Sequence, residues 1–81
     1  MAEIVDTTII TYLRGRFPAL EAVNEETPLL SSGAVDSLGI LDLMMFLADE
    51  FGIALEDDDF TPDNLETPGR LAALVVRKQA A

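Results

Sequence analysis

The fold of this chain is decided by residues 36–52, which read DSLGILDLMMFLADEFG. Apolar residues recur in this stretch with the period of an α-helix and form one stripe, as on a buried helix face: Ile40, Leu43, Met44, Leu47 and Phe51. Gly52 directly follows and suits a helix that ends in a left-handed backbone conformation. The pattern therefore predicts a helix from Ser37 to about Phe51, with Asp36 or Ser37 as its capping residue.

Helical patterns also flank this stretch on both sides. The apolar residues of segment 3–17 recur at helical spacing, and Pro18 ends that pattern. After the predicted second helix, Thr61-Pro62 and Thr67-Pro68 each read as an N-cap followed by the first helical residue. The first pair has room for a short helix, and the second opens a full helix with an apolar face: Leu71, Leu74 and Val75.

A long loop separates the first two predicted helices. Residues 18–35 show no period, and a stretch of that length without structure is usually functional in a small domain. Four apolar residues are expected to hold the loop against the core: Leu20, Val23, Leu29 and Leu30. The predicted fold is all-α, a small four-helix bundle with three main helices, a short third helix and this long first loop. We expect a single domain over residues 1–81.

Composition excludes several classes of function. The 81 residues include no cysteine and no histidine, so the polypeptide has no thiol, no disulfide and no ordinary zinc ligands. Fifteen acidic against five basic side chains give a net charge of −10, which repels nucleic acid and anionic lipid. No residue pair offers general acid–base chemistry near neutral pH, so we expect a protein that is not an enzyme. Because histidine and cysteine are absent, we also expect no metal site. The first residues lack the basic region of a signal peptide, and no apolar run reaches membrane-spanning length, so we expect a cytoplasmic protein. We also expect a monomer.

Ser37 is the candidate functional residue. A hydroxyl at the junction of a loop and a helix is exposed to a modifying enzyme, and the helix N-terminus favours an added phosphate by about 0.3–1 kcal/mol. Because the chain has no histidine or cysteine to activate Ser37, this serine is expected to receive a group. A lone Asp-Ser-Leu tripeptide more often only caps a helix. The surrounding sequence is therefore needed to distinguish capping from modification of Ser37.

The surrounding sequence resembles the acyl and peptidyl carrier protein family. The matching stretch is LLSSGAVDSL at residues 29–38, followed by an amphipathic helix that ends in EFGI at residues 50–53. The resemblance implies a non-catalytic carrier in which Ser37 bears a 4′-phosphopantetheine arm, added from coenzyme A by a phosphopantetheinyl transferase. The thiol of that arm holds acyl or aminoacyl intermediates as thioesters. Asp36 carries over as the residue before the modified serine and is expected to aid transferase and metal recognition, to cap the helix, or both.

Two features differ from carriers of the fatty-acid type. Gly39 stands where those carriers usually have an acidic residue after Asp-Ser-Leu. The segment FTPDNLET at residues 60–67 looks more like free-standing carriers of aminoacyl groups or of specialised-metabolite acyl groups. The resemblance therefore implies a specialised biosynthetic pathway and an adenylating or acyl-loading enzyme, and it leaves the cargo open.

A second apolar stripe on the predicted second helix is the candidate docking face. Leu38, Leu41 and Met45 follow one another at offsets of three and four, with Asp42 and Asp49 beside them. The stripe is either additional core or a surface for the loading and downstream enzymes, and methionine suits a surface that meets several partners. An acidic rim would match basic docking surfaces on those enzymes.

Two further questions remain open at this level. The acidic residues 56–59 do not follow the spacing of a calcium-binding loop, so they predict a solvated face or a loose cation cluster. The alternative function for the whole chain is an acidic helical adaptor without a prosthetic group that binds a basic protein. Modification by a transferase would distinguish the carrier from the adaptor.

Overall fold

Within the described residues, four α-helices form the bundle, as predicted. The computed structural model describes the backbone of residues 2–80 and the side chains of residues 4–80. The helices are α1 (Ala2–Arg16), α2 (Ser37–Phe51), α3 (Pro62–Leu65) and α4 (Pro68–Ala80). Two short 3₁₀ turns, Pro18–Leu20 and Asp57–Asp59, lie in the connecting loops. The extent of the domain over residues 1–81 stays a prediction.

Helix α1 packs mainly against α4, because both helices direct apolar stripes to the same core. These stripes are buried, with no side chain more than 5% exposed: Val5, Ile9 and Leu13 from α1, and Leu71, Leu74 and Val75 from α4. Burial of such a side chain contributes about 1.5–3 kcal/mol before the cost of ordering it. The inward face predicted for α4 is therefore confirmed, and it is a main source of stability.

Helix α2 has the predicted bounds and the predicted buried face. Leu43, Met44 and Leu47 are buried, while the other two residues of the stripe are half-buried against the core. Gly52 ends the helix with a φ of 62°, the left-handed conformation that its position predicted. The aromatic rings of Tyr12 and Phe46 stack with centroids 4.0 Å apart and join α1 to α2.

The long loop is fixed to the segment between α3 and α4. Leu20, Val23 and Leu29 are buried as predicted, and Leu30 is half-buried. Glu66, directly after α3, accepts the Leu29 N–H with its carbonyl oxygen at 2.6 Å. Earlier in the loop, the Glu25 carbonyl accepts an N–H from the first turn of α4 at 2.9 Å. These bonds hold the loop in one path toward the start of α2.

The Glu66 side chain adds a second attachment for this loop. Its carboxylate accepts the backbone N–H groups of Leu30 and Ser31 at 3.1 and 3.2 Å and the Ser31 hydroxyl. The hydrogen bond from that hydroxyl is the main cause of a lowered pKa at Glu66. The sequence showed no sign of this long-range contact.

Candidate functional site

Ser37 is the first residue of α2, and Asp36 is the N-cap. The Asp36 carboxylate accepts the Gly39 N–H at 2.8 Å, and the Asp36 carbonyl accepts the Ile40 N–H at the same distance. Of the two predicted capping residues, the structure thus selects Asp36. Among the described residues, the N–H groups of Ser37 and Leu38 have no acceptor, which leaves two donors for a phosphate at the helix start.

The Ser37 hydroxyl is available, unlike those of the two serines in the preceding loop. Ser37 is exposed, and its hydroxyl makes no hydrogen bond within the described part of the chain. Ser31 donates its hydroxyl to Glu66, and Ser32 donates its hydroxyl to the Pro28 carbonyl at 2.6 Å. An exposed hydroxyl beside free N–H donors fits the attachment of a phosphate-linked group.

The loop reaches this position through Gly33. Its φ is 77°, a conformation that residues with a side chain rarely adopt. Val35 then turns inward and is only 3% exposed, whereas Asp36 and Ser37 point to the surface. The serine is therefore presented to solvent by a segment that is anchored immediately before it.

Gly39 is required by packing at the base of the site. A Cβ atom built on Gly39 would lie 2.7 Å from Cε1 of Phe17 and 3.2 Å from Cγ1 of Val35. Carbon atoms in favourable contact are about 3.5–4.0 Å apart, so no side chain fits without movement of the ring. The absence of a side chain at this position thus has a steric reason, since it lets Phe17 close against the first turn of α2.

Arg16 places a positive charge next to this turn. Its guanidinium forms an ion pair with the Asp42 carboxylate and lies 5.3 Å from the centre of the Phe17 ring. The hydrogen bond to Asp42 is the main cause of a raised pKa at Arg16. Asp42, expected to be part of an acidic rim, is therefore paired in this structure. No local sequence pattern predicts the pair, because the two residues lie 26 positions apart.

The candidate docking face lies on the outer side of α2. Leu38, Leu41 and Met45 are 74%, 54% and 66% exposed, so none of them belongs to the core. Asp49, farther along the same side, is also exposed. Exposed apolar side chains grouped in this way are typical of surfaces that meet other proteins.

The acidic residues 56–59 have separate environments. Asp57 and Asp58 are exposed, as a solvated face predicts. Asp59 is different, because its carboxylate pairs with Lys78 at 2.8 Å and accepts the Glu56 N–H at 2.9 Å. The hydrogen bond from Lys78 is the main cause of a lowered pKa at Asp59. The described residues contain no group of three or more side chains that could hold a metal ion.

Comparison with known proteins identifies the family. A family model described as a phosphopantetheine attachment site matches residues 7–75. A search of curated proteins found no match. Within residues 2–80, no helix is long and apolar enough to cross a bilayer. Proteins of the matched family carry a covalently attached 4′-phosphopantetheine group, and phosphopantetheinyl transferases modify them. Because the match covers most of the chain and agrees with the four-helix fold, this protein belongs to the phosphopantetheine-attachment family of carrier proteins.

Proposed function

We propose that Ser37 is the attachment residue and that the protein carries acyl or aminoacyl intermediates in a specialised biosynthetic pathway. The observation that carries the attachment is the free hydroxyl of Ser37 at the start of α2, whereas Ser31 and Ser32 use theirs to hold the loop. The family match includes all three serines, so the match alone does not identify the modified one, and the proposal depends on local geometry.

The modification is a group transfer in which Ser37 is the acceptor. Its oxygen forms a bond to the phosphorus of coenzyme A that bears pantetheine, the pyrophosphate bond breaks, and the nucleotide leaves. The hydroxyl proton passes to the transferase, since the chain has no histidine that could accept it near neutral pH. The bound group supplies a thiol that holds the cargo as a thioester. Because the polypeptide has no cysteine, it offers no competing thiol.

This chain's own contribution is to present the serine and leave it accessible. Asp36 caps the helix with its side chain, so the first turn of α2 stays formed without help from Ser37. The adjacent N–H groups of Ser37 and Leu38 favour a negatively charged substituent. In this role the protein supplies no catalytic groups, because the partner enzymes carry out the chemistry and the protein is their substrate.

Partner enzymes are proposed to dock on Leu38, Leu41 and Met45, with Asp42 and Asp49 at the rim. A partner that must reach a thiol attached at Ser37 is positioned best by contacts close to that residue. An apolar centre would supply affinity, and the acidic rim would steer a partner with a basic docking surface. These partners are the transferase, an adenylating or acyl-loading enzyme, and downstream enzymes.

The proposed specialised pathway rests on two features of the sequence that differ from the fatty-acid type, namely Gly39 and the segment 60–67. Candidate loading enzymes can be compared directly, with amino acids and ATP in one reaction and acyl-coenzyme A in another. Intact mass of the modified protein gives the added cargo. Stable loading from an amino acid and ATP supports an aminoacyl carrier, whereas transfer from the acyl thioesters of fatty-acid synthesis alone would contradict the proposed pathway.

Modification itself separates the carrier from an adaptor. The purified protein is incubated with coenzyme A, Mg²⁺ and a broad-specificity phosphopantetheinyl transferase, and its intact mass is followed. A carrier gains the mass of one phosphopantetheine group. An adaptor without a prosthetic group keeps its original mass, and that result would refute the proposal.

A further inference from the structure

A groove opens beside Ser37, between the end of α1 and the start of α2. Its volume is about 350 Å³. It is lined from both helices and from the loop by charged, apolar and small residues: Arg16, Phe17, Ala34, Asp36, Leu38 and Gly39. Ser37 is not itself a lining residue, but its chain neighbours Asp36 and Leu38 are, so a group attached to Ser37 starts close to this groove.

The groove has one source of positive charge. The whole chain has five basic side chains, and four of them have acceptors elsewhere: Arg14 on the Glu21 carbonyl, Arg70 beside Asp63, Arg77 on Asn64 and Lys78 on Asp59. Arg16 alone among the five lines the groove. A phosphodiester on Ser37 would add a negative charge next to Asp36 in a protein of net charge −10. The positive charge of Arg16 would offset part of the resulting repulsion.

Arg16 has N–H donors besides the one that bonds to Asp42. A guanidinium has five N–H donors, and in this structure Nη2 is the nitrogen that bonds to Asp42. The position of the guanidinium over Phe17 matters because that ring packs on Gly39, two residues after Ser37. The cation is thus held near the first turn of α2 with donors available. Arginine also matches the geometry of phosphate oxygens better than lysine does.

Building on the function proposed above, we propose that Arg16 binds the phosphodiester attached to Ser37 and thereby links modification to the docking face. When Arg16 shares its charge with the phosphodiester, it neutralises less of the Asp42 carboxylate. The rim of the docking face then becomes more acidic in the modified protein than in the unmodified one. A loading enzyme with a basic patch would favour the modified form for this reason.

The test compares wild type with Arg16→Gln, and Arg14→Gln is the matched control. Arg14 lies on the same helix, and its loss changes the net charge by the same amount, but it bonds to the Glu21 carbonyl. Each protein is converted to the modified form, and intact mass verifies the conversion. The melting temperature of both forms is then measured at about 10 mM salt. Taking the difference between the two forms cancels the part of the Asp42 pair that both forms share, so what is left measures the coupling between Arg16 and the modification.

Modification should lower the melting temperature of Arg16→Gln by about 3 °C or more relative to its effect on wild type and Arg14→Gln. The excess should shrink at about 150 mM salt because the charges are exposed. In wild type, the Arg16 Nε–Hε NMR signal should shift on modification, while the Arg14 signal should not. Equal shifts in melting temperature for all three proteins, or an unchanged Arg16 signal, would overturn the inference. A protein that gains no mass would refute the proposed function, and the inference with it.

Discussion

Substitution of Gly39 by alanine tests the packing at the base of the site. The added Cβ would lie 2.7 Å from Cε1 and 3.1 Å from Cζ of the Phe17 ring. That ring is 9% exposed and has the Tyr12 ring edge-on at 6.4 Å and the Arg16 guanidinium over its face, so it is held from several sides. Val35 blocks a further direction, with Cγ1 3.2 Å from the added atom.

The two opposing energies can be compared. Replacement of glycine by alanine within a helix stabilises it by about 0.5–1 kcal/mol. Forcing an additional methyl group into a packed region costs about 1–3 kcal/mol. We therefore expect Gly39→Ala to destabilise the protein by about 1 kcal/mol, which corresponds to a melting temperature lower by about 4–8 °C for a domain of this size.

Thermal unfolding followed by circular dichroism measures this effect, and Gly15→Ala is the control. Gly15 also lies in a helix, but apart from its chain neighbours and the adjacent helix backbone, no atom of the described residues lies within 4 Å of the Cβ it would gain. Alanine should therefore stabilise the protein there. In a Phe17→Leu background, where the ring is gone, the cost of Gly39→Ala should largely disappear. If Gly39→Ala stabilises the protein as Gly15→Ala does, or costs the same with and without the ring, the steric explanation is wrong.

Four further predictions concern charge and docking. Because the net charge is −10, raising salt from about 10 to 150 mM should raise the melting temperature, as the screening length falls from roughly 30 to 8 Å; a flat or falling value would argue against net repulsion. The lowered pKa of Glu66 means that its contribution to stability is present above the ordinary carboxyl pKa and is lost on acidification, so Glu66→Gln should destabilise at pH 7, and the difference should close at low pH. Glu25 has the opposite sign: its hydrogen bond with Asp6 raises its pKa, so its contribution is lost as pH rises, and Glu25→Gln should stabilise at pH 7 but not at low pH. Thermal melts of wild type and both variants from pH 3 to 8 check both predictions. If the two variants differ from wild type with the same pH dependence, the opposite pKa shifts of Glu66 and Glu25 are wrong. On the docking face, Asp49→Lys should slow association with a loading enzyme and weaken its salt dependence, while Met45→Ala should mainly speed dissociation; unchanged loading rates in both would place the docking surface elsewhere.

The regular elements could be predicted because their signals are local. The apolar period of residues 40–51 and the glycine at position 52 defined α2, and Pro18 marked the end of the first helix. The Thr67 hydroxyl caps α4 by accepting the Arg70 N–H at 3.2 Å, as its position before a proline predicts. Such features depend on neighbours within a few residues, and these are visible in the sequence.

The side-chain contacts around the site could not be predicted in this way. The Arg16–Asp42 pair and the attachment of the loop by Glu66 join residues far apart in the sequence, and either pairing depends on how the helices pack. The tight approach of Phe17 to Gly39 has the same origin. Gly39 is visible in the sequence, but the close contact that requires a glycine there exists only in the folded structure.

Modification of serine variants tests the central claim most directly. Wild type, Ser37→Ala, Ser31→Ala and Ser32→Ala are each incubated with coenzyme A and a broad-specificity transferase, and intact mass is measured. Since Asp36 and not Ser37 caps α2, Ser37→Ala should keep the fold, with a circular dichroism spectrum like that of wild type. The proposed attachment predicts that Ser37→Ala gains no mass while the other three proteins each gain one phosphopantetheine group. A folded Ser37→Ala variant that still gains this mass would contradict it.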